Sequence, residues 1–253
     1  MTSSASSTDS SFPGDTVEVH LDTDALLDAA AARFVGVITA AQTAHGTASV
    51  VLTGGGTGIA LLERVRRSPG DIDWSRLDVF WGDERFVPAG DPERNELQAR
   101  EALLDHVPVD PARVHPVATS DSEYPDPVEA AAEYSATVHA HLAAHDGFDL
   151  HLLGMGGEGH INSLFPHTDA VREDHELVVA VTDSPKPPPV RVTLTLPAVR
   201  RARHVVLVVS GEGKAEAVAA ALNGAQAVDI PAAGASGSES TTWLLDQGAA
   251  GAL

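Results

Sequence analysis

The chain has 253 residues, of which 43% are hydrophobic and 21% are charged, as is typical of a globular protein rather than a disordered or membrane protein. Lysine and arginine number 16 against 36 aspartates and glutamates, and the formal net charge of -20 disfavours binding to nucleic acid or an anionic membrane. The chain has no cysteine, which excludes disulfides, thiolate nucleophiles and cysteine-ligated metals.

The start of the chain is rich in serine and threonine. We expect residues 1–14 to be a disordered N-terminus, followed by one α/β domain over residues 15–253. Residues 1–11 lack the positive start and the apolar run of a secretory signal peptide. No stretch approaches transmembrane length, so the sequence predicts a cytoplasmic protein.

Short apolar runs alternate with longer segments of helical period, a pattern typical of a parallel sheet covered by helices. Asp22 or Thr23 can cap a first helix that extends to about residue 45. The helices predicted after it cover residues 59–67, 93–106 and 127–145. The strands predicted between these helices are at 49–53, 77–81, near Val114 and at 148–153.

The second half of the chain adds predicted strands at 177–182, 191–196, 205–210 and 242–245, and a helix at about 214–222. The stiff, proline-rich loop 184–189 joins two of these strands without a helix, so part of the sheet could be antiparallel. Residues 232–240 are expected to form a flexible surface loop. The predicted fold is α/β, with a single open, mostly parallel sheet flanked by helices.

A glycine-rich turn follows the strand at 49–53. Gly54, Gly55, Gly56 and Thr57 would present backbone N–H groups at the start of a helix, a common way to bind an anion. The lysine of a nucleotide P-loop is absent, which argues against a triphosphate. The turn is therefore a candidate phosphate site, and the alternative is a tight turn that needs glycine for its backbone conformation.

Charged residues follow other predicted strands. Asp83 and Arg85 come just after the strand at 77–81, where α/β proteins place their ligands, although they could belong to a solvated loop. Lys214 begins a helix, where the helix dipole disfavours a cation unless an anion binds there. Arg191, beside the proline-rich loop, is a second candidate cation. Either of these two could instead be an ordinary exposed charge.

The glycine-rich segment after the strand at 148–153 contains His160, with Glu158 two residues before it. A carboxylate near an imidazole can fix the ring tautomer, which suits a general base working near neutral pH. The same glycines match the dinucleotide pattern G-x-G-x-x-G. Pro166, however, comes too soon for the long helix that this pattern requires.

Other candidates for chemistry are weaker. His141 and His145, four residues apart on one predicted helix face, could chelate a metal, but the sequence suggests no third ligand. Ser163 lacks the G-x-S-x-G context of a serine nucleophile. The sequence therefore assigns no metal, no cofactor and no covalent catalysis.

Five segments, in this order along the chain, together resemble the 6-phosphogluconolactonases, which share a fold with the glucosamine-6-phosphate deaminases. They are LTGGGTG from Leu52, WGDERFVP from Trp81, LLGMGGEGHINSLFP from Leu152, KPPPVRVTLTLP from Lys186, and VSGEGKAEAV from Val209. The resemblance spans about residues 17–247. It implies a Rossmann-like fold of the deaminase/ribose-phosphate isomerase type.

The resemblance implies hydrolysis of 6-phospho-D-glucono-1,5-lactone to 6-phospho-D-gluconate in the oxidative pentose phosphate pathway. It implies that His160 is the catalytic base, with Arg85, Glu158 and Asp83 beside it. It also implies that the glycine turn, Arg191 and Lys214 contact the phosphate. Glu158 stands where the family commonly has aspartate, which leaves open whether the longer side chain contacts the imidazole directly.

Two alternatives differ in chemistry. The related deaminases carry a glutamate five residues past the histidine, where this chain has Phe165, and an apolar side chain cannot transfer a proton. The other alternative is a non-catalytic module that binds sugar phosphates. In each case the expected partner is a small sugar phosphate, bound by a monomer or a small homo-oligomer.

Overall fold

A computed structural model describes residues 15–253 of the chain. The expected disordered N-terminus, residues 1–14, lies outside the described residues. The strands are β1 (Asp15–His20), β2 (Ala48–Leu52), β3 (Leu77–Trp81), β4 (Asp83–Arg85), β5 (Phe148–Leu153), β6 (Val178–Val181), β7 (Arg191–Leu194), β8 (Ala202–Val209) and β9 (Ser240–Asp246). The helices are α1 (Thr23–His45), α2 (Gly55–Arg67), α3 (Asn95–Ala102), α4 (Pro127–Ala144), α5 (Asp169–Arg172), α6 (Leu196–Val199) and α7 (Ala215–Leu222).

Six strands form one parallel sheet in the order β1-β9-β8-β5-β2-β3. This confirms the α/β class with an open, mostly parallel sheet between helices. The carboxyl ends of all these strands lie at one edge of the sheet because every pair is parallel. The segments that follow β2, β3, β5 and β8 therefore meet at that edge, although long stretches of sequence separate them.

The prediction of a single sheet is wrong in one respect. The two strands on either side of the proline-rich loop, β6 and β7, do not extend the large sheet. They pair with each other and with β4 in a separate antiparallel sheet of order β4-β7-β6. The physical reason is the short connection between β6 and β7, which contains no helix and can join antiparallel strands but not parallel neighbours.

Three other differences separate the structure from the sequence predictions. No strand was predicted at β1, which pairs with β9 at the edge of the large sheet. The glycine turn is itself the first turn of α2, so that helix begins at Gly55 rather than at residue 59. Residues 232–240 lie only partly at the surface, because Ala232 and Ala235 are buried, and the exposed Ser238 and Glu239 are held by amides that donate to backbone carbonyls at 2.9 Å.

The first helix has the ends that its sequence predicts. Asp22 caps α1 by accepting a hydrogen bond from the amide of Ala25 at 2.8 Å. Gly46 ends the helix in the left-handed conformation, with a φ of 81°, which glycine adopts without strain. The buried face of α1, which includes Leu26, Phe34 and Ile38, packs on one side of the large sheet together with α2 and α3. The other side carries α4, α7 and the small sheet.

No helix within residues 15–253 is both long enough and apolar enough to cross a lipid bilayer.

The hydroxyl of Tyr134 ties α4 to the end of β3. It donates to the carbonyl of Trp81 at 2.9 Å and accepts from the amide of the same residue at 2.8 Å. Tyr134 is 1% exposed, so water cannot replace these bonds without a rearrangement. The two bonds fix the strand end immediately before the segment that carries Asp83 and Arg85.

We expect Tyr134→Phe to lower the free energy of unfolding by about 1–3 kcal/mol, because it leaves buried backbone groups without a partner. Urea denaturation followed by tryptophan fluorescence measures this change. Tyr124→Phe is the matched control, since the Tyr124 hydroxyl makes no hydrogen bond to any residue in 15–253. Equal unfolding free energies for the two variants would contradict the role given to Tyr134.

Candidate active site

A cavity of about 270 Å³ opens at the carboxyl edge of the large sheet. Every residue that the sequence singled out for the site lines it, apart from Glu158. These are Gly54, Gly55, Gly56, Thr57, Asp83, Arg85, His160, Arg191 and Lys214. The sequence analysis assigned no role to several polar residues that also line the cavity, among them Asn95, Asn162 and Lys186. The imidazole and the glycine turn therefore share one cavity.

The glycine turn presents the N-terminus of α2 to this cavity. Gly54 caps the helix without a side-chain hydrogen bond, and the first turn of α2 contains no acidic residue. Its amides are thus available to an anion, and the helix dipole favours negative charge there. Gly55 needs to be glycine because its φ is +79°. Gly54 also needs to be glycine, because a Cβ at that position would lie 2.0 Å from Oδ1 of Asn95.

His160 contacts a carboxylate and an ammonium group through the same ring nitrogen. Its Nδ1 lies 3.1 Å from Oε1 of Glu158 and 3.4 Å from Nζ of Lys186. The two partners also contact each other, with 2.9 Å between Lys186 Nζ and Glu158 Oε1. The direct contact that the sequence left open between Glu158 and the imidazole is therefore present.

These contacts favour one tautomer of the ring. An ammonium nitrogen has no lone pair, so Lys186 can only donate, and a bond with it requires an Nδ1 without a proton. Donation to Glu158 requires a proton on Nδ1, so the ring nitrogen cannot make both bonds at once. Donation to Glu158 has the shorter distance, and the Lys186 protons have the same carboxylate as an acceptor. A proton on Nδ1 leaves the lone pair on Nε2, to which no group in residues 15–253 hydrogen bonds.

The surroundings of the imidazole keep it neutral near pH 7. Burial lowers the pKa of His160, the charge of Lys186 lowers it further, and Glu158 and Asp83 only partly oppose this. Burial raises the pKa of Glu158, but the hydrogen bond from Lys186, its own backbone amide and the nearby imidazole outweigh this and bring it to about 2. The pair therefore consists of a neutral imidazole and an ionised carboxylate at physiological pH.

The chain around His160 fixes the position of the ring. The imidazole stacks on Phe165, with 4.4 Å between ring centroids, and Phe165 is almost fully buried. The amide of Gly156 donates to the carbonyl of His160 at 2.9 Å. A Cβ at Gly156 would lie 1.9 Å from Nδ1, so the imidazole occupies space that only glycine leaves free.

The segment after β3 places Asp83 and Arg85 in the cavity wall. Asp83 Oδ2 accepts a hydrogen bond from the hydroxyl of Ser163 at 2.7 Å, which ties β4 to the histidine segment. Arg85 Nη1 donates to the carbonyl of Glu93 at 2.5 Å and to Oδ1 of Asn95 at 2.7 Å, while its Nη2 makes no hydrogen bond within residues 15–253. Nη2 is therefore the donor that Arg85 keeps for a ligand.

Glu84, the middle residue of that segment, stabilises the fold. Its carboxylate is fully buried and accepts the backbone amides of Arg85, Asn95 and Glu96 at 2.7–2.8 Å. Burial raises its pKa to about 7, against the charge of Arg94 and these amides. The side chain thus anchors the beginning of α3 and holds Asn95 against the glycine turn.

Arg191 has few donors left for a ligand. Its Nε donates to the carbonyl of Pro188 at 2.9 Å, and its Nη2 to the carbonyls of Lys186 and Pro187 at 3.0 and 3.2 Å. Its Nη1 lies 3.3 Å from the hydroxyl of Ser163. The guanidinium, 5% exposed, therefore fixes the proline-rich loop and holds Lys186 near His160.

The two lysines of the cavity lie close enough to influence each other. Burial lowers the pKa of Lys214, and the charge of Lys186 lowers it further, with Glu158 opposing both. A bound anion would relieve this repulsion, in keeping with the position of Lys214 directly before α7.

The His141 and His145 pair lies elsewhere, beside a second cavity of about 210 Å³. Their rings stack with 4.6 Å between centroids, and His145 is the C-cap of α4 rather than part of that helix. No group of three or more candidate ligand residues within 15–253 is arranged to hold a metal ion. The structure does not bring this pair to the site of His160.

Residues 21–243 match the model of a family described as glucosamine-6-phosphate isomerases/6-phosphogluconolactonase. The chain belongs to this family. A curated 6-phosphogluconolactonase of Mycobacterium tuberculosis is 55% identical over 241 residues, which cover 94% of this chain and 98% of the relative.

Solved structures place the fold in the same family. A 6-phosphogluconolactonase from Trypanosoma cruzi superposes with a TM-score of 0.81 at 27% identity, covering 96% of this chain and 98% of that one. A monomeric glucosamine-6-phosphate deaminase superposes with a TM-score of 0.77 at 22% identity, covering 94% and 99%. The second likeness shows the fold alone.

Sequence reasoning missed Lys186 as a site residue for a definite reason. The proline run suggested a stiff connector, and nothing local indicates that this connector folds back over the end of β5. The available signal was Arg191, five residues further on, whose buried guanidinium binds the carbonyls of that loop. Asn95 and Asn162 carry no local signal of comparable strength.

We expect Lys186→Met to raise the pKa of His160, because it removes the positive charge that disfavours the protonated ring. NMR titration of the histidine ring protons measures that pKa. Lys214→Met is the matched control, since it removes a lysine from the same cavity whose charge is not among the largest causes of the His160 pKa shift, and it should change that pKa less. An unchanged or lower His160 pKa in the Lys186 variant would contradict the described geometry.

Proposed function

We propose that this chain hydrolyses 6-phospho-D-glucono-1,5-lactone to 6-phospho-D-gluconate, with His160 as the general base. The observation that carries the proposal is a neutral imidazole with a free Nε2 in the same cavity as the glycine turn of α2. The names of the curated relatives support the same reaction. A base and an anion site in one cavity suit a substrate that carries a carbonyl at one end and a phosphate at the other.

Nε2 of His160 takes a proton from water as the water oxygen attacks the lactone carbonyl carbon. The carbonyl π electrons move to its oxygen, and Arg85 and nearby backbone amides stabilise this oxyanion. When the tetrahedral intermediate collapses, the bond from carbon to the ring oxygen breaks. The imidazolium returns its proton to that oxygen, and the product is an open-chain acid that ionises in water.

Glu158 and Lys186 position and tune the base rather than react. The hydrogen bond from Nδ1 to Glu158 stabilises the imidazolium that forms during the attack. Lys186 limits this effect by neutralising part of the carboxylate charge, so the imidazole stays unprotonated before the substrate binds. Asp83 contributes a second negative charge that favours the protonated ring once it forms.

The phosphate binds at the amides of Gly54, Gly55, Gly56 and Thr57 and at Lys214. Arg191 contributes chiefly by holding the proline-rich loop, since most of its donors already have protein acceptors. Binding energy from the phosphate then holds the carbonyl in front of His160, which lowers the barrier of the chemical step.

Phe165 favours lactone hydrolysis over aminosugar deamination. Its ring stacks on the imidazole, at the position where the related deaminases carry a glutamate. A phenyl ring cannot transfer a proton, so the site lacks the second acid–base group of that reaction. We further propose that the protein acts in the cytoplasm as a monomer or small homo-oligomer, without a cofactor, a metal or a nucleic-acid partner.

The test follows the decay of freshly generated 6-phosphogluconolactone with and without the protein, alongside ammonia release from glucosamine 6-phosphate. We expect the wild type to accelerate lactone decay and to release no ammonia. His160→Gln should lower kcat about 10²- to 10⁴-fold, because the positioned base is lost. His175→Gln is the matched control, since His175 is an exposed histidine outside the cavity.

Ammonia release without lactone turnover would show that the chain is a deaminase. Binding of 6-phosphogluconate without either activity would show a non-catalytic module. Near-normal lactone turnover in His160→Gln, with the control unaffected, would remove His160 as the base while leaving the reaction in place.

A further inference from the structure

Asn95, the first residue of α3, joins the glycine turn to the segment that carries Asp83 and Arg85. The residue is 3% exposed and lines the cavity. Its side-chain amide packs so closely on the glycine turn that Gly54 has no space for a Cβ. Asn95 therefore lies between the proposed phosphate site and Arg85, although the proposed reaction gives it no part.

The strand β4 holds Asn95 from both of its faces. Side chains alternate along a strand, so Asp83 and Arg85 point to one face of β4 and Glu84 points to the other. The buried carboxylate of Glu84 accepts the backbone amide of Asn95 at 2.7 Å. The side chain of Asn95 contacts the two residues of the opposite face.

The hydrogen bonds of this side chain allow only one orientation of its amide. Nδ2 donates to the carbonyl of Asp83 at 2.8 Å and to its Oδ1 at 3.2 Å, while Oδ1 of Asn95 accepts from Nη1 of Arg85 at 2.7 Å. A flipped amide would place its donor against the guanidinium and its acceptor against a carboxylate. Because both ends of the amide already have protein partners, Asn95 supports its neighbours rather than binding the substrate.

The guanidinium of Arg85 depends on this support. Its Nη1 carries two protons, which go to Oδ1 of Asn95 and to the carbonyl of Glu93 at 2.5 Å. Because a guanidinium is planar and rigid, two bonds at Nη1 set the direction of Nη2, the donor left for the oxyanion. No other side chain within residues 15–253 accepts a hydrogen bond from this guanidinium.

Asp83 has other side-chain partners besides Asn95. Its Oδ2 accepts a hydrogen bond from the hydroxyl of Ser163 at 2.7 Å and lies 3.7 Å from Nη1 of Arg191. These contacts remain when the side chain of Asn95 is removed. A substitution at position 95 therefore frees Arg85 more than it frees Asp83.

We propose that Asn95 is a positioning residue that aims the guanidinium of Arg85 at the lactone carbonyl. The proposal rests on the proposed lactone hydrolysis, in which Arg85 stabilises the oxyanion. Asn95 acts through Arg85 and not on the substrate itself. Its replacement should therefore slow the chemical step and change the binding of the phosphate little.

A double-mutant cycle tests this proposal, with kcat and KM measured for 6-phosphogluconolactone. Arg85→Met should lower kcat about 10²- to 10³-fold, because an oxyanion donor is lost. Asn95→Ala alone should lower kcat about 10- to 100-fold through a misplaced guanidinium and leave KM within about twofold. In the Arg85→Met background, Asn95→Ala should change kcat by less than about twofold, because no guanidinium is left to position.

Asn95→Leu provides a second variant, because leucine has nearly the shape of asparagine and keeps the packing against Gly54. It should lower kcat as much as Asn95→Ala does, since the acceptor for Arg85 is lost in both. Asn223→Ala, at an exposed asparagine outside the cavity, is the matched control and should leave kcat and KM unchanged. Tryptophan fluorescence during urea denaturation shows which variants are folded, and one folded Asn95 variant completes the cycle.

The outcomes separate the assignment of Asn95 from the proposed reaction. If the wild type opens the lactone but the substitution lowers kcat by the same factor with and without Arg85, the assignment is overturned and the reaction stands. Near-normal turnover in Asn95→Leu, a raised KM with an unchanged kcat, or failure of both Asn95 variants to fold would overturn it equally. If the wild type opens no lactone, the reaction and the assignment fall together.

Discussion

The proposed chemistry depends on the contact between Nδ1 of His160 and the carboxylate of Glu158. With the Nδ1 proton held there, the lone pair is on Nε2 and the ring can act as a base towards the cavity. Lys186 forms an ion pair with the same carboxylate, and its charge lowers the pKa of the ring where Glu158 raises it. The ring therefore stays neutral near pH 7. The three side chains come from two separate loops, so the base exists only in the folded chain.

The site also shows how a strongly acidic protein can bind an anion. The net charge of -20 repels a phosphate at long range, but this field is weak inside a cavity with its own positive groups. The N-terminus of α2, Lys214 and Lys186 provide that local charge within one cavity. The parallel sheet brings the ends of β2 and β8, and with them the N-terminus of α2 and Lys214, to one edge, and the loop between β6 and β7 of the small sheet adds Lys186.

Much of this could be predicted because the relevant signals are local. The glycines after β2, the cap at Asp22 and the glycine-framed His160 each follow from a few neighbouring residues, and the structure places them as expected. The prediction of a single sheet was only partly right. The pairing of β7 with β4 and β6 depends on contacts between segments that are distant in the sequence. The prediction of a flexible surface loop at residues 232–240 did not foresee the burial of Ala232 and Ala235 for the same reason.

The functional details that the sequence did not predict are tertiary in origin. Glycine and proline content describe a connector, but they do not indicate that Lys186 reaches Glu158 or that the donors of Arg191 are used by that loop. Glu84 stands between the candidate site residues Asp83 and Arg85 in the sequence, and only its hydrogen bonds reveal that it anchors α3.

A crystal structure with 6-phosphogluconate bound tests the central claim most directly, because both ends of this product report their positions in one map. The account predicts the phosphate on the amides of residues 54–57 and on Lys214, with the carboxylate carbon facing Nε2 of His160. A reversed product, with its carboxylate on the glycine turn and its phosphate beside the imidazole, would contradict it.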